Sequence, residues 1–312
     1  MTKKLIAFLI LNTSFLISFS QTAEELNKQG LEKQKEKKYA EAIKLHTKAI
    51  DKNADSAKYY WARGYAYYKL EKYQLASDDY GKAIFAQSSY WQAYDSRGFL
   101  YTRLGMFEES IKDYNMVIML APNDTVKRSA YLNNGVNRSQ MRDFEGAYKD
   151  YMKALSYDTL NADSYANLAT VMDDLGKPEK SLEYSLKAYS LDTTSIGPLV
   201  NIGFLFTKQE KYKEAIVYFD WALKKDPNEA LSYNNRGYAK LKLGDLDGAL
   251  DDINKSLKLY PGNSYAYRNR ALVYLAMKKT NKACDDLQKA KEMDFAKTYG
   301  NEVENLIFQN CK

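Results

Sequence analysis

Large and small apolar residues recur along this chain on a fixed frame. The stretch from Ala230 to Asn263, ALSYNNRGYAKLKLGDLDGALDDINKSLKLYPGN, shows the unit, with Tyr233 fourth, Gly237 eighth, Ala249 twentieth and Pro261 thirty-second. Anchored on the eighth position, the chain reads Gly30, Gly64, Gly98, Gly135, Ala169, Gly203, Gly237, Ala271. Every step in this series equals the length of that unit, except Gly98 to Gly135, which is longer by the three positions 125–127. Twelve positions after each anchor stands another small residue: Ala42, Ala76, Ser110, Ala147, Ser181, Ala215, Ala249, Ala283. A small residue in each of two consecutive helices lets their backbones approach. Rings then fill the space around the contact, such as Tyr60, Tyr94 and Tyr233 at position 4 and Tyr80, Tyr114, Tyr151 and Phe219 at position 24. Gly105, Gly176 and Gly244 fall at position 15, where the first helix should end and the chain reverse. Pro122, Pro227 and Pro261 fall at position 32, where the second helix should stop.

The pattern predicts eight helix–turn–helix units, at 23–56, 57–90, 91–124, 128–161, 162–195, 196–229, 230–263 and 264–297. The insertion at 125–127 either lengthens a loop or starts the next helix early. Residues 298–312, with Val303, Leu306, Ile307 and Phe308 apolar, are expected to form a helix that covers the last open face.

This frame resembles the tetratricopeptide repeat (TPR) family over 23–297. The resemblance implies an all-α fold: a right-handed superhelical solenoid of about eight helix pairs with a C-terminal capping helix and a concave inner groove. It also implies that positions 2, 5, 9, 12 and 13 of each first helix line that groove. The candidate groove residues are Trp61, Tyr65, Tyr68, Phe99, Arg103 and Leu132 in the first half, and Val136, Phe204, Asn234, Tyr238 and Arg268 in the second. Chaperone-binding members of the family clamp a carboxylate with Lys and Asn, but no Asn occupies position 9 here. The row is apolar and aromatic, suited to an extended or helical segment with large apolar side chains. The competing reading is that these rings only pack against the next repeat.

One pairing is internal to the repeats. Arg63, Arg97, Arg236 and Arg270 hold position 7, and Asp79, Asp113, Asp252 and Asp286 hold position 23 of the same units. The fourth unit breaks the rule, with Asn134 and Asp150. This predicts an Arg–carboxylate pair joining the two helices of a unit, unless the pattern records only shared ancestry.

Residues 1–20 stand outside the frame. Lys3 and Lys4 precede a mostly apolar run from Leu5 to Phe19, and Ser18 and Ser20 lie ahead of Gln21. This reads as a secretory signal cut between Ser20 and Gln21, or as a retained anchor, although the run is short of the roughly 20 residues that span a bilayer. Export is therefore expected, to a periplasmic or extracellular address, with no stable membrane insertion after cleavage. Without Lys3 and Lys4, 44 basic residues face 40 acidic ones, a net of +4 that gives no argument for nucleic acid. The only cysteines are Cys284 and Cys311. In an exported chain they suggest a disulfide, the alternative being two buried thiols.

Catalytic chemistry finds little support. His46 is the only histidine, and there is no Cys–His pair, metal-ligand cluster or Gly-rich phosphate loop. No cofactor is expected. The sequence is read as a non-catalytic scaffold of a bacterial envelope that binds a protein or peptide segment. The alternative is an assembly chaperone or an accessory subunit of an envelope enzyme complex. The partner's identity and the oligomeric state are not encoded in the frame.

Overall fold

The computed structural model describes residues 21–311, so the targeting segment expected at 1–20 lies outside the described residues. Those residues form eighteen helices and no strand. The helices follow one another in pairs. They are α1 (Ala23–Lys35) with α2 (Tyr39–Lys52), α3 (Ala57–Lys69) with α4 (Tyr73–Ala86), and α5 (Trp91–Arg103) with α6 (Phe107–Leu120). Next come α7 (Asp124–Gln140) with α8 (Phe144–Tyr157), α9 (Ala162–Asp174) with α10 (Pro178–Leu191), and α11 (Gly197–Lys208) with α12 (Tyr212–Lys225). The series ends with α13 (Ala230–Lys242) and α14 (Leu246–Leu259), α15 (Ser264–Ala276) and α16 (Thr280–Glu292), then α17 (Phe295–Tyr299) and α18 (Glu302–Asn310). The chain divides into two compact units, one up to Asn133 and one from Asn134 onward. Residues 125–127 lie inside α7, so the insertion starts that helix early and makes it 17 residues long.

Most pairs close on a glycine. A Cβ placed on Gly64 would sit 2.8 Å from the Tyr80 ring, and one on Gly203 would sit 2.6 Å from Phe219. Only a residue without a side chain lets the ring lie flat on the first helix. In the first repeat the ring is His46, which a Cβ on Gly30 would meet at 2.5 Å. Tyr80, Tyr114 and Phe219 are fully buried, as are the facing Ala42, Ala76, Ala147, Ala215, Ala249 and Ala283.

The reversal between helices has a different cause. Position 15 is left-handed in every repeat: Gly105, Gly176 and Gly244 carry positive φ, and so do Lys37, Glu71, Arg142, Glu210 and Lys278. A Cβ on those three glycines would meet nothing within 4 Å, so the demand there is on the backbone rather than on space. The next N–H then reaches back five residues, as in Lys72 to the Tyr67 carbonyl and Met106 to the Tyr101 carbonyl, both 2.9 Å. That bond satisfies a carbonyl the helix end would otherwise leave open.

The Arg–Asp spacing is a real contact. Arg63 grips Asp79 with Nε and Nη2 at 2.7 and 2.9 Å, and Arg97 grips Asp113 with the same two nitrogens, both at 2.8 Å. Arg236 with Asp252 and Arg270 with Asp286 repeat this geometry. The free Nη1 points back to position 25 of the preceding repeat, from Arg63 to Thr47, from Arg236 to Asp220 and from Arg270 to Asn254. One side chain thus joins three helices. In the fourth repeat Asn134 cannot serve, and Arg138 comes within 2.8 Å of Asp150 instead, without hydrogen-bond alignment.

At the C-terminus, Phe295 and Val303 are fully buried with Ala283, Leu287 and Ala290, and Leu306 and Ile307 pack against them. Gly300, at φ 80°, separates α17 from α18, so the helix expected from residue 298 begins at Glu302. Phe308 is 91% exposed, on a side of α18 turned away from Val303. A disulfide joins Cys284 on α16 to Cys311, with Cα atoms 5.7 Å apart.

Candidate functional site

The first helices of neighbouring repeats also touch each other, α1 with α3 and α3 with α5 in the first unit, and α9, α11, α13 and α15 in succession in the second. Their shared face is where the structure places most of the candidate groove residues.

In the first unit, Tyr65 and Tyr68 of α3 and Phe99 of α5 wall a cavity of about 280 Å³. Lys69, Asp95, Ser96 and Asn133 complete its lining, and the buried Tyr80 and Tyr114 close it from within. Burial pushes both of those hydroxyls up, so they stay protonated. Phe99 is 51% exposed and meets Tyr68 edge-on at 5.9 Å. Lys69 holds its ammonium 5.3 Å from the centre of the Tyr65 ring. Arg103 stands over Tyr68 and Tyr73 at 5.9 and 5.7 Å, and lines the adjoining depression. Such contacts hold a cation against a ring face at modest cost in hydration. Trp61 is half-buried between repeats. Its indole N–H donates to Ser96 Oγ at 2.9 Å and its ring meets Tyr90 edge-on. Leu132 and Val136 are half-buried along α7.

In the second unit, Phe204 of α11 and Tyr238 of α13 share a cavity of about 310 Å³ with Thr207, Lys208, Tyr212, Lys242 and Tyr265, among others. Lys208 lies over Phe204 and Lys242 over Tyr238. Asn234 and Arg268 are not part of that open surface. Asn234 is buried and accepts from Asn269 Nδ2 at 3.0 Å. Arg268 is also buried, donates to Asn269 Oδ1 at 2.7 Å, and forms an ion pair with Glu302 of α18. Its guanidinium is sandwiched by Tyr238 and Tyr265. Position 5 therefore carries half-buried residues, such as Trp61, and buried ones, and α18 contributes to the cover of Arg268. Asp95, which shares position 5 with Trp61 and lines the first cavity, was not among the sequence candidates. The signal that could have marked it is that no other position 5 carries an acid.

His46 is fully buried, with Asn27 Oδ1 2.9 Å from Nδ1 and Gln34 Nε2 3.1 Å from Nε2. Gln34 also donates to the Ala62 carbonyl, so this network ties the first repeat to the second. Among the described residues, no group of three His, Cys, Asp or Glu could hold a metal ion, and no helix is long and apolar enough to cross a membrane.

Paired helices with a glycine-to-ring closure, recurring on one fixed period, define a helical-repeat protein. Models described as tetratricopeptide repeat match residues 27–90, 205–264 and 235–292 in one case, and 92–124 and 162–194 in another. The chain belongs to the tetratricopeptide repeat family, whose fold is generally a scaffold for protein–protein interaction. A comparison with the curated proteins finds no match. Among solved structures, the chain is similar to one in the crystal structure of the APC/C hetero-tetramer Cut9–Hcn1, at 19% identity and a TM-score of 0.66. That match covers 88% of this chain and 53% of the other, so this chain spans about half the length of that relative. PilF of Pseudomonas aeruginosa is similar at 20% identity and a TM-score of 0.56, over 67% of this chain and 94% of that one. At these identities the likeness is one of fold.

Proposed function

We propose that the chain is an exported, non-catalytic scaffold of the cell envelope that seats a protein or peptide segment against the first-helix faces. The observation that carries this is the pair of ring-walled cavities, one in each unit, that neighbouring repeats leave open. Their volumes, about 280 and 310 Å³, are at the lower edge of the roughly 300–1,000 Å³ of small-molecule sites. Each therefore suits one or two anchoring side chains of a partner. Aromatic rings with cations at their edges are the residues that dominate protein interfaces. The Cys284–Cys311 bridge supports an oxidising address, in keeping with the apolar leader at 1–20. The one histidine is committed to internal hydrogen bonds, which supports a non-catalytic role.

Affinity capture from envelope extract tests the reading. Chain 21–312 is compared with a Tyr65→Ala, Phe99→Ala, Tyr238→Ala variant of unchanged helicity. The proposal expects a partner in fixed ratio with the wild type and absent from the variant. A partner held equally by both would move the site off these faces.

A further inference from the structure

Asp95 is the one carboxylate in the first cavity, and the repeat does not explain it. Asp79, Asp113, Asp252 and Asp286 each sit in an arginine fork. Among the described residues Asp95 has no such partner: burial pushes its carboxyl up, with no hydrogen bond or ion pair to offset the cost. The groups that share its cavity are Tyr65, Tyr68 and Lys69 of α3, Tyr80 of α4, Ser96 and Phe99 of α5, Tyr114 of α6 and Asn133 of α7. Lys69 is the one cation among these described residues, and its ammonium is held over the Tyr65 and Tyr68 rings. A carboxylate half-buried beside aromatic rings has one natural complement. A cation satisfies its charge, and the exposed Phe99 ring attracts the same cation through its negative face.

Resting on the scaffold reading above, we propose that this cavity receives a cationic side chain, arginine or lysine, of a protein partner. The side chain's charged end pairs with Asp95, and its stem lies between Tyr65, Tyr68 and Phe99. The acidic residue at position 5 then selects partners by charge, while the rings supply contact area. Among the described residues Asp95 holds no ion pair or side-chain hydrogen bond, so the near-isosteric Asp95→Asn removes the charge with little change in packing.

Trp61 supplies the readout, because its indole N–H is bonded to Ser96 on the cavity wall. The full chain, labelled with ¹⁵N at the indoles, is titrated with Ala-Ala-Arg-Ala-Ala, its lysine counterpart, and the neutral citrulline and leucine counterparts. The Trp61 resonance is identified by its loss in Trp61→Phe. The expected result is a Trp61 shift with the arginine and lysine peptides at concentrations about tenfold below those the citrulline peptide needs, since unpairing a desolvated charge costs at least that factor. In Asp95→Asn the preference disappears. Equal binding of the leucine or citrulline peptide overturns the cation inference and leaves the scaffold reading standing. A charge preference that survives in Asp95→Asn, or no Trp61 shift with any peptide, also overturns it. Loss of the scaffold reading is a separate result, seen when the triple alanine variant keeps its captured partner.

Discussion

At the residue scale, the repeated arginine does more than its spacing announced. Arg236 is bound by Asp252 through two nitrogens and by Asp220 through the third, and it lies over the Tyr233 ring. Charge-assisted, bidentate geometry of this kind sits at the strong end of hydrogen bonding. A double-mutant cycle on Arg236 and Asp252 is expected to give a coupling of about 1.5–3 kcal/mol by urea denaturation. The fork to position 23 was legible because residue type and spacing recur. The arm to position 25 was not, because Thr47, Asp220 and Asn254 differ in type and share only their place. Position 15 gives a second test. Glu71 holds φ 58° with a side chain, where Gly105 holds φ 75° without one. Glu71→Gly is expected to raise stability by about 1 kcal/mol, read from the denaturation midpoint, and Gly176→Ala to lower it by a similar amount.

At the element scale, the first pair carries a pH dependence of its own. Burial, and then the charge of Arg63, lower the His46 pKa from 6.5 to about 4. The folded ring therefore stays neutral where the unfolded one binds a proton. Stability from this group is complete above pH 6.5, falls as the pH drops, and is spent near pH 4. The full effect is about 3 kcal/mol. Thermal melts from pH 7 to 4.5 should show this extra loss in the wild type and its absence in His46→Tyr, which restores the ring type of position 24 elsewhere. At the other end, α18 is held by the Cys284–Cys311 bridge, which closes 27 residues. Reduction is expected to cost about 3–4 kcal/mol in the chain-entropy picture and to speed amide exchange in α18. A helix near this place was legible from Val303, Leu306 and Ile307. Its start was not, because Gly300 and Asn301 interrupt the chain without a change in apolar pattern.

At the scale of the whole molecule, eight helix pairs were legible because one period governs nearly every step between them, from Gly30 to Ala271. The binding face was less so. Place in the row does not tell an open residue from a covered one: at position 5, Trp61 is half-buried while Asn234 and Arg268 are buried. Arg268 is covered by Tyr238, Tyr265 and Asn269 and also by Glu302, which lies beyond the last repeat and which no local pattern reports. Asp95 is the one acid in a position-5 row of mixed type, with Asn27, Asn234 and Arg268 beside Trp61 and Leu132, and only the surrounding cavity gives it a meaning.

On the proposed function, partners dock on the first-helix faces. Photo-crosslinking in living cells tests it most directly. A benzophenone amino acid is placed singly at Phe99 and Phe204 in the cavities, and at Phe85 of α4, which is 94% exposed and lines neither. A discrete protein adduct is expected from positions 99 and 204 and none from 85. Adducts from position 85 alone would contradict it and assign the binding face to the second helices.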